Sequence, residues 1–217
     1  MTMAAAPEPP RSLVIACGAL AREARSALAA NGWTHVALVC LPAELHNTPS
    51  RIPEAVRSRI RAARRDGFAD VLCLYGDCGT GGGLDRVLAE EHVPRIDGPH
   101  CYGFYAGLER FAALHEAEPG LFYLTDFLVR HFERLVIRGL GLDRHPELRD
   151  AYFAHYRGVV YLAQTDDPAL TRAAEAAAAR LGLPLAARIA TGHDAIADFL
   201  ATRLPRNPAE AGSPWRN

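Results

Sequence analysis

Short apolar runs alternate with amphipathic stretches along most of this chain. Residues 11–17 (RSLVIAC) form a short apolar run that ends at Gly18, the pattern of a buried strand. Residues 19–30 then read as a helix halted by Asn31 and Gly32. Residues 36–41 (VALVCL) predict a second buried strand. Over 53–65 the helix period is plain, because Ile52, Val56 and Ile60 recur at four-residue steps with arginines opposite. Residues 71–75 predict a third strand, followed by a glycine-rich loop and a helix near 84–91. A short fourth strand is expected at 93–96 and a helix at 101–115.

After Pro119 and Gly120 the pattern changes. Residues 122–142 read as mostly helical, with Phe127, Leu128, Phe132, Leu135 and Val136 as a core stripe. Strand character returns at 159–163, an alanine-rich helix follows at 167–181, a last strand at 185–189 and a final helix at 193–200. This alternation predicts an α/β fold, a parallel Rossmann-like sheet flanked by helices. The two halves allow a reading as loosely similar α/β units. One domain is expected over 11–203, with disordered tails at 1–10 and 204–217.

Composition narrows the class. A chain of 217 residues, 49% hydrophobic and 23% charged, is an ordinary globular protein. Its net charge is −1, so no global field draws it to nucleic acid or membrane. No apolar run reaches the roughly 20 residues that span a bilayer. The first residues lack a basic segment and a long apolar one, so a cytoplasmic location is expected. In that compartment thiols stay reduced, and cysteines more often serve metals or catalysis than disulfides. Five cysteines also cannot all pair internally. The even charge and apolar helices are compatible with a homodimer.

Three cysteines sit where predicted strands end: Cys17, Cys78 and Cys101. His46 follows the second strand in the same way. Carboxyl ends of parallel strands share one edge, so these four side chains can converge on one metal ion. Thiolate and imidazole favour zinc, or iron, over magnesium. The spacing matches no closed zinc-finger pattern, and free cysteine is also a small buried hydrophobe. That second reading is the one adopted for Cys40 and Cys73, inside strand runs.

The loop Gly76-Asp77-Cys78-Gly79-Thr80-Gly81-Gly82-Gly83 leaves a strand and opens a helix. The backbone of Gly79, Thr80, Gly81 and Gly82 is therefore a candidate anion cradle, although GxGxxG order and a Walker lysine are absent. Asp77 is a candidate general base or ligand-orienting carboxylate, or a helix cap. His100 is an alternative ligand or acid–base group. On a strand it would point away from Cys101. Tyr102 and Tyr105 either line the same cleft or fill core. Thr125 and Asp126 read as a helix start, with substrate contact as the second role. His145 reads as part of a charged loop, and His193 sits at another strand-to-helix junction.

Several stretches together resemble the uncharacterised family catalogued as domain of unknown function 1638. They are CGAL at 17–20, LHN at 45–47, YGDCG at 75–79, the Cys101 segment and EPGLFYLTDF at 118–127. The resemblance covers most of residues 12–163. It implies cysteines at the positions of Cys17, Cys78 and Cys101 and a histidine at His46. Where members often show an Asp-Cys pair, this chain has His100 before Cys101. It brings no established reaction. It also implies an association with corrinoid-dependent methyltransferases of one-carbon metabolism.

The leading expectation is thus a zinc-binding α/β protein acting on a small molecule or with a corrinoid methyltransferase system. One rival is a silent module binding a corrinoid or another anionic cofactor, although the Asp-x-His-x-x-Gly signature is missing. Another is a metal-free cysteine racemase or hydrolase. A structural reading keeps the cysteines as core filler.

Overall fold

The computed structural model describes residues 11–192 and 194–204. The segments 1–10 and 205–217, and His193, lie outside the described residues. Among the described residues, six parallel strands form two three-stranded sheets, each flanked by helices. The first comprises β1 (Ser12–Cys17), β2 (Val36–Leu41) and β3 (Asp70–Leu74), in the order β2-β1-β3. Helix α1 (Ala21–Ala30) connects β1 to β2, and α2 (Ile52–Arg65) connects β2 to β3. Every residue of β1 is buried, as a central strand covered on both faces requires. β2 is the edge and only half-buried. Cys40 lies on it and is exposed, so it is not the core residue the apolar run suggested. Cys73, on β3, is fully buried as expected.

After β3 come α3 (Gly83–Glu90), α4 (Tyr102–Ala106) and α5 (Leu108–Ala117). The helix expected over 101–115 is split at Gly107, whose φ is +85°, a backbone conformation that favours glycine. The short strand expected at 93–96 is reduced to one parallel bridge between Cys73 and Arg95.

The second sheet runs β4-β5-β6. It comprises β4 (Leu121–Thr125), followed by α6 (Asp126–Arg130) and α7 (Leu148–Phe153), then β5 (Gly158–Ala163), α8 (Pro168–Leu181) and β6 (Leu185–Ala190). Helix α9 (Asp194–Arg203), the last element among the described residues, packs back on α1. β4 replaces the start of the helix expected from residue 122. Thr125 ends the strand and also caps α6, its hydroxyl accepting the Leu128 N–H at 3.2 Å. No loop separates the two elements, so no turn signal marks the change. Leu204, expected to begin a tail, is buried against the first core. Among the described residues, no helix is long and apolar enough to cross a membrane.

Glu91 fastens α2 to the end of α3. It is buried, and its carboxylate accepts from Arg61 at 2.8 Å and Arg64 at 2.7 Å. Arg57 adds a third cation at 3.4 Å. The arginine face of α2 is therefore partly a packing face. Burial works against the Glu91 charge, but the hydrogen bond from Arg61 and the three positive charges hold its carboxyl below the ordinary range.

Candidate metal and thiol site

The carboxyl ends of β1, β2 and β3 deliver four short segments to one place. Cys17 is the last residue of β1. His46 stands on a 3₁₀ turn, Ala43–Asn47, just after β2. Cys78 follows β3, and Cys101 opens α4. One ligand atom each from His46, Cys78 and Cys101 lies within 4.8 Å of the others. Neighbouring ligands of a tetrahedral zinc ion stand about 3.5–3.8 Å apart, given bonds of 2.0–2.3 Å. The three would need to contract by about 1.3 Å at most.

Local backbone features make this convergence possible. Cys78 has φ +50°, the left-handed region that non-glycine residues seldom occupy and that often marks functional sites. Its N–H donates to the Pro99 carbonyl at 2.8 Å, and that of Asp77 to Gly98 at 3.0 Å. The loop after β3 is thereby tied to the segment carrying Cys101. Gly76 permits the approach, since a Cβ there would meet the His100 backbone at 3.0 Å.

His46 is held as a ligand should be. Its Nδ1 lies 3.1 Å from the Ala43 carbonyl oxygen. A carbonyl can only accept, so Nδ1 carries the proton. Nε2 is buried with no hydrogen-bond partner. Metal-binding histidines commonly hold the other ring nitrogen against a carbonyl in this way. Tyr75 stacks on the ring, centroids 6.3 Å apart and planes at 11°, and its buried hydroxyl is likewise without a hydrogen-bond partner. Burial pushes that hydroxyl far above its ordinary pKa.

Charge is unevenly distributed over the trio. The Cys101 thiol donating to Cys78 is the largest influence on Cys78. Burial opposes it, but His100 and His46 add to it, and Cys78 falls far below the ordinary thiol range. Cys101 is pushed correspondingly far up, by that same hydrogen bond and by burial. Burial disfavours a charged His46, but the sulfurs of Cys17 and Cys78 outweigh it and push its pKa up to about 11. The metal-free site is thus a thiolate on Cys78 between a thiol and an imidazolium.

Of the four expected ligands, Cys17 stands apart. Its sulfur accepts the Ala19 N–H at 3.3 Å and lies 3.8 Å from His46 Nδ1. It therefore sits beside the carbonyl-bound nitrogen and outside the triangle. His100 is closer to the chemistry than a strand would allow. Residues 98–101 form a turn, so consecutive side chains need not oppose each other, and both His100 and Cys101 reach Cys78.

Of the roles expected for Asp77, the hydrogen bonds of its loop fit the capping one most directly. The Asp77 carboxylate accepts the Gly81 N–H at 3.1 Å, the Gly82 N–H at 2.9 Å and the Thr80 hydroxyl. Thr80 Oγ1 in turn accepts the Leu84 N–H at 3.1 Å. Two of the amides expected to cradle an external anion are therefore engaged by a carboxylate of the loop itself. Burial disfavours that charge, yet these donors hold it below the ordinary carboxylate range. Asp126 is also a connector. Buried at the end of β4, it accepts from the Tyr161 hydroxyl at 2.7 Å and the Gln164 N–H at 3.0 Å, joining β4 to β5. Thr125 is the helix cap. His145 lies exposed beside Glu147.

The trio opens into a pocket of about 310 Å³ between the two sheets. Tyr102 and Tyr105 line it, together with Thr125 and several apolar side chains of the second half, among them Phe127, Leu128, Leu135 and Val136. The apolar stripe of 127–136 showed no chemistry in the sequence, because apolar side chains pattern alike whether they face a core or a cavity. A π-helical turn at Glu133–Ile137 carries part of this wall, and such turns are frequent at functional sites. Asn47 donates to the Leu135 carbonyl at 3.2 Å, and Glu44 pairs with Arg134, so the His46 turn is latched to the opposite wall.

A model of the family described as "Protein of unknown function (DUF1638)" matches residues 40–200. No curated protein matches the chain. Among solved structures the chain is similar to the ornithine carbamoyltransferase from Pyrococcus furiosus, at 16% identity and a TM-score of 0.28. The match covers 83% of this chain and 54% of that enzyme, about half its length. Likeness at this level carries no argument about activity.

Proposed function

The chain belongs to a family of unknown function, DUF1638, which assigns no reaction, and from the site itself we propose that it is a zinc-binding protein. His46, Cys78 and Cys101 would hold the ion at the strand ends. The observation that supports this best is the buried His46 Nε2, unpartnered while Nδ1 is fixed on the Ala43 carbonyl, in a ring whose donor atoms lie within 4.8 Å of two sulfurs. Three protein ligands leave a fourth position, the arrangement of catalytic zinc sites. Zinc so held supplies Lewis acidity and activates a bound thiol or water. The pocket walls are mostly apolar, and His100, exposed to solvent, reaches Cys78 from the pocket.

Corrinoid-linked methyl transfer fits this reading only with the corrinoid on a partner, because the macrocycle far exceeds a 310 Å³ pocket. An anionic-cofactor module finds less support, since Asp77 already engages the Gly81 and Gly82 amides.

One observation favours a second reading. A Cys78 thiolate receiving a hydrogen bond from Cys101 is also an equipped nucleophile or base, as a metal-free thiol enzyme requires. Cobalt titration under reducing conditions separates the two. Sulfur-to-cobalt absorption saturating at one ion per chain supports the metal reading. No such bands, with rapid alkylation of Cys78 by iodoacetamide that zinc does not protect against, would favour the thiol enzyme.

A further inference from the structure

We infer that the ligand of this site is a small, uncharged, apolar thiol. The inference rests on the metal-binding reading for its sulfur end and on the pocket alone for its hydrocarbon end. Sixteen side chains line the pocket, and Arg, Lys, Asp and Glu are not among them. A charged group seated there would lose part of its hydration and, outside the metal-binding trio, would meet among the described residues only the imidazole of His100 as a possible counter-ion. Three of the polar groups on the wall are already engaged. Thr125 accepts from Leu128, Asn47 donates to Leu135, and the Tyr105 hydroxyl donates to the Ala19 carbonyl at 3.1 Å. Tyr102 and His100 are what remains, too few donors to match the several oxygens of a sugar or phosphate.

Size sets the second limit. A dry apolar cavity of about 150 Å³ accepts benzene, so 310 Å³ holds roughly a dozen heavy atoms at most. The pocket floor sets the third. Two thiolates neutralise a divalent ion, which leaves a soft, electron-rich centre, and such a centre prefers sulfur to oxygen as its next ligand. A thiol bound there would give its S–H proton to solvent, and the sulfur would keep the electron pair and donate it to the metal.

The test uses cobalt-loaded full-length protein, with metal stoichiometry measured before any thiol is added. Benzyl mercaptan, 1-butanethiol and 3-mercaptopropionate are then titrated while the cobalt absorption is followed. The two neutral thiols should perturb the spectrum at least tenfold more tightly than the carboxylated one. Leu128→Trp and Leu140→Trp fill the pocket from two sides without touching the trio. Each should keep one cobalt per chain and weaken benzyl mercaptan at least tenfold. Equal or tighter binding of 3-mercaptopropionate would overturn the inference, as would wild-type benzyl mercaptan affinity in both metal-loaded variants. Protein that takes up no cobalt would refute the metal reading itself, and this inference with it, before any thiol is present.

Discussion

The Nδ1 of His46 stands 3.1 Å from the carbonyl oxygen of Ala43. That one hydrogen bond fixes the direction of the ring and, once the second proton has left, its tautomer, so that Nε2 is the nitrogen offered beside the sulfurs of Cys78 and Cys101. Replacing His46 by Ala should therefore weaken zinc at least a hundredfold, whereas Cys17→Ser, outside the triangle, should weaken it less than tenfold. Competition with a chromophoric chelator measures both. Equal losses would place Cys17 among the ligands.

The protonation state of the empty site makes metal uptake depend on pH. At neutral pH Cys101 keeps its proton, and His46, with a pKa of about 11, keeps both of its own. Cys78 has already lost its proton. Ligation requires a neutral imidazole and two thiolates, so binding should release about two protons per ion. Affinity should accordingly rise with pH across 6 to 8. Calorimetry in buffers of different ionisation enthalpy counts the protons, and zero release would contradict this arrangement.

Gly76 is a point of close approach. A Cβ there would meet the Cα and carbonyl carbon of His100 at 3.0 Å, backbone atoms that cannot rotate away. Gly76→Ala should cost about 1–3 kcal/mol in stability. It should also reduce metal affinity at least tenfold, because it pushes the Cys101 segment away from Cys78. Urea unfolding and a metal titration of the same variant report the two effects.

Glu91 governs acid stability through its arginines. Its folded carboxyl lies below the ordinary value, so its contribution is fully present above the unfolded pKa of about 4.3. That contribution is lost as pH falls through the folded value. Glu91→Gln should lower the urea midpoint at pH 7, and the difference from wild type should shrink towards pH 3. A difference that persists unchanged in acid would mean that the packing of the side chain matters and its charge does not.

Much of this site is legible in the sequence because topology does the placing. In a parallel α/β unit, a residue that ends a strand lies on a known edge, and Cys17, His46 and Cys78 each follow a strand with clear hydrophobic limits. Cys101 follows a segment without a full strand, and the ties from Asp77 N–H to Gly98 and from Cys78 N–H to Pro99 bring it in. β4 stayed hidden because Thr125 serves as strand end and helix cap at once. The exposure of Cys40 depends on β2 being an edge, a property of strand order that VALVCL does not encode. Asp77 looked catalytic because a carboxylate next to cysteine suggests chemistry. Which donors it engages depends on left-handed turns at Gly79, Gly81 and Gly82, and these bring the amides of Gly81 and Gly82 to the carboxylate of their own loop.

Elemental analysis of untagged protein purified under reducing conditions, wild type beside Cys78→Ser, tests the central claim most directly. About one zinc per chain in the wild type, lost in the variant while the fold is retained by circular dichroism, is the expected result. Metal-free wild type whose thermal midpoint does not move when zinc is added would contradict the metal site and leave Cys78 as a thiol catalyst.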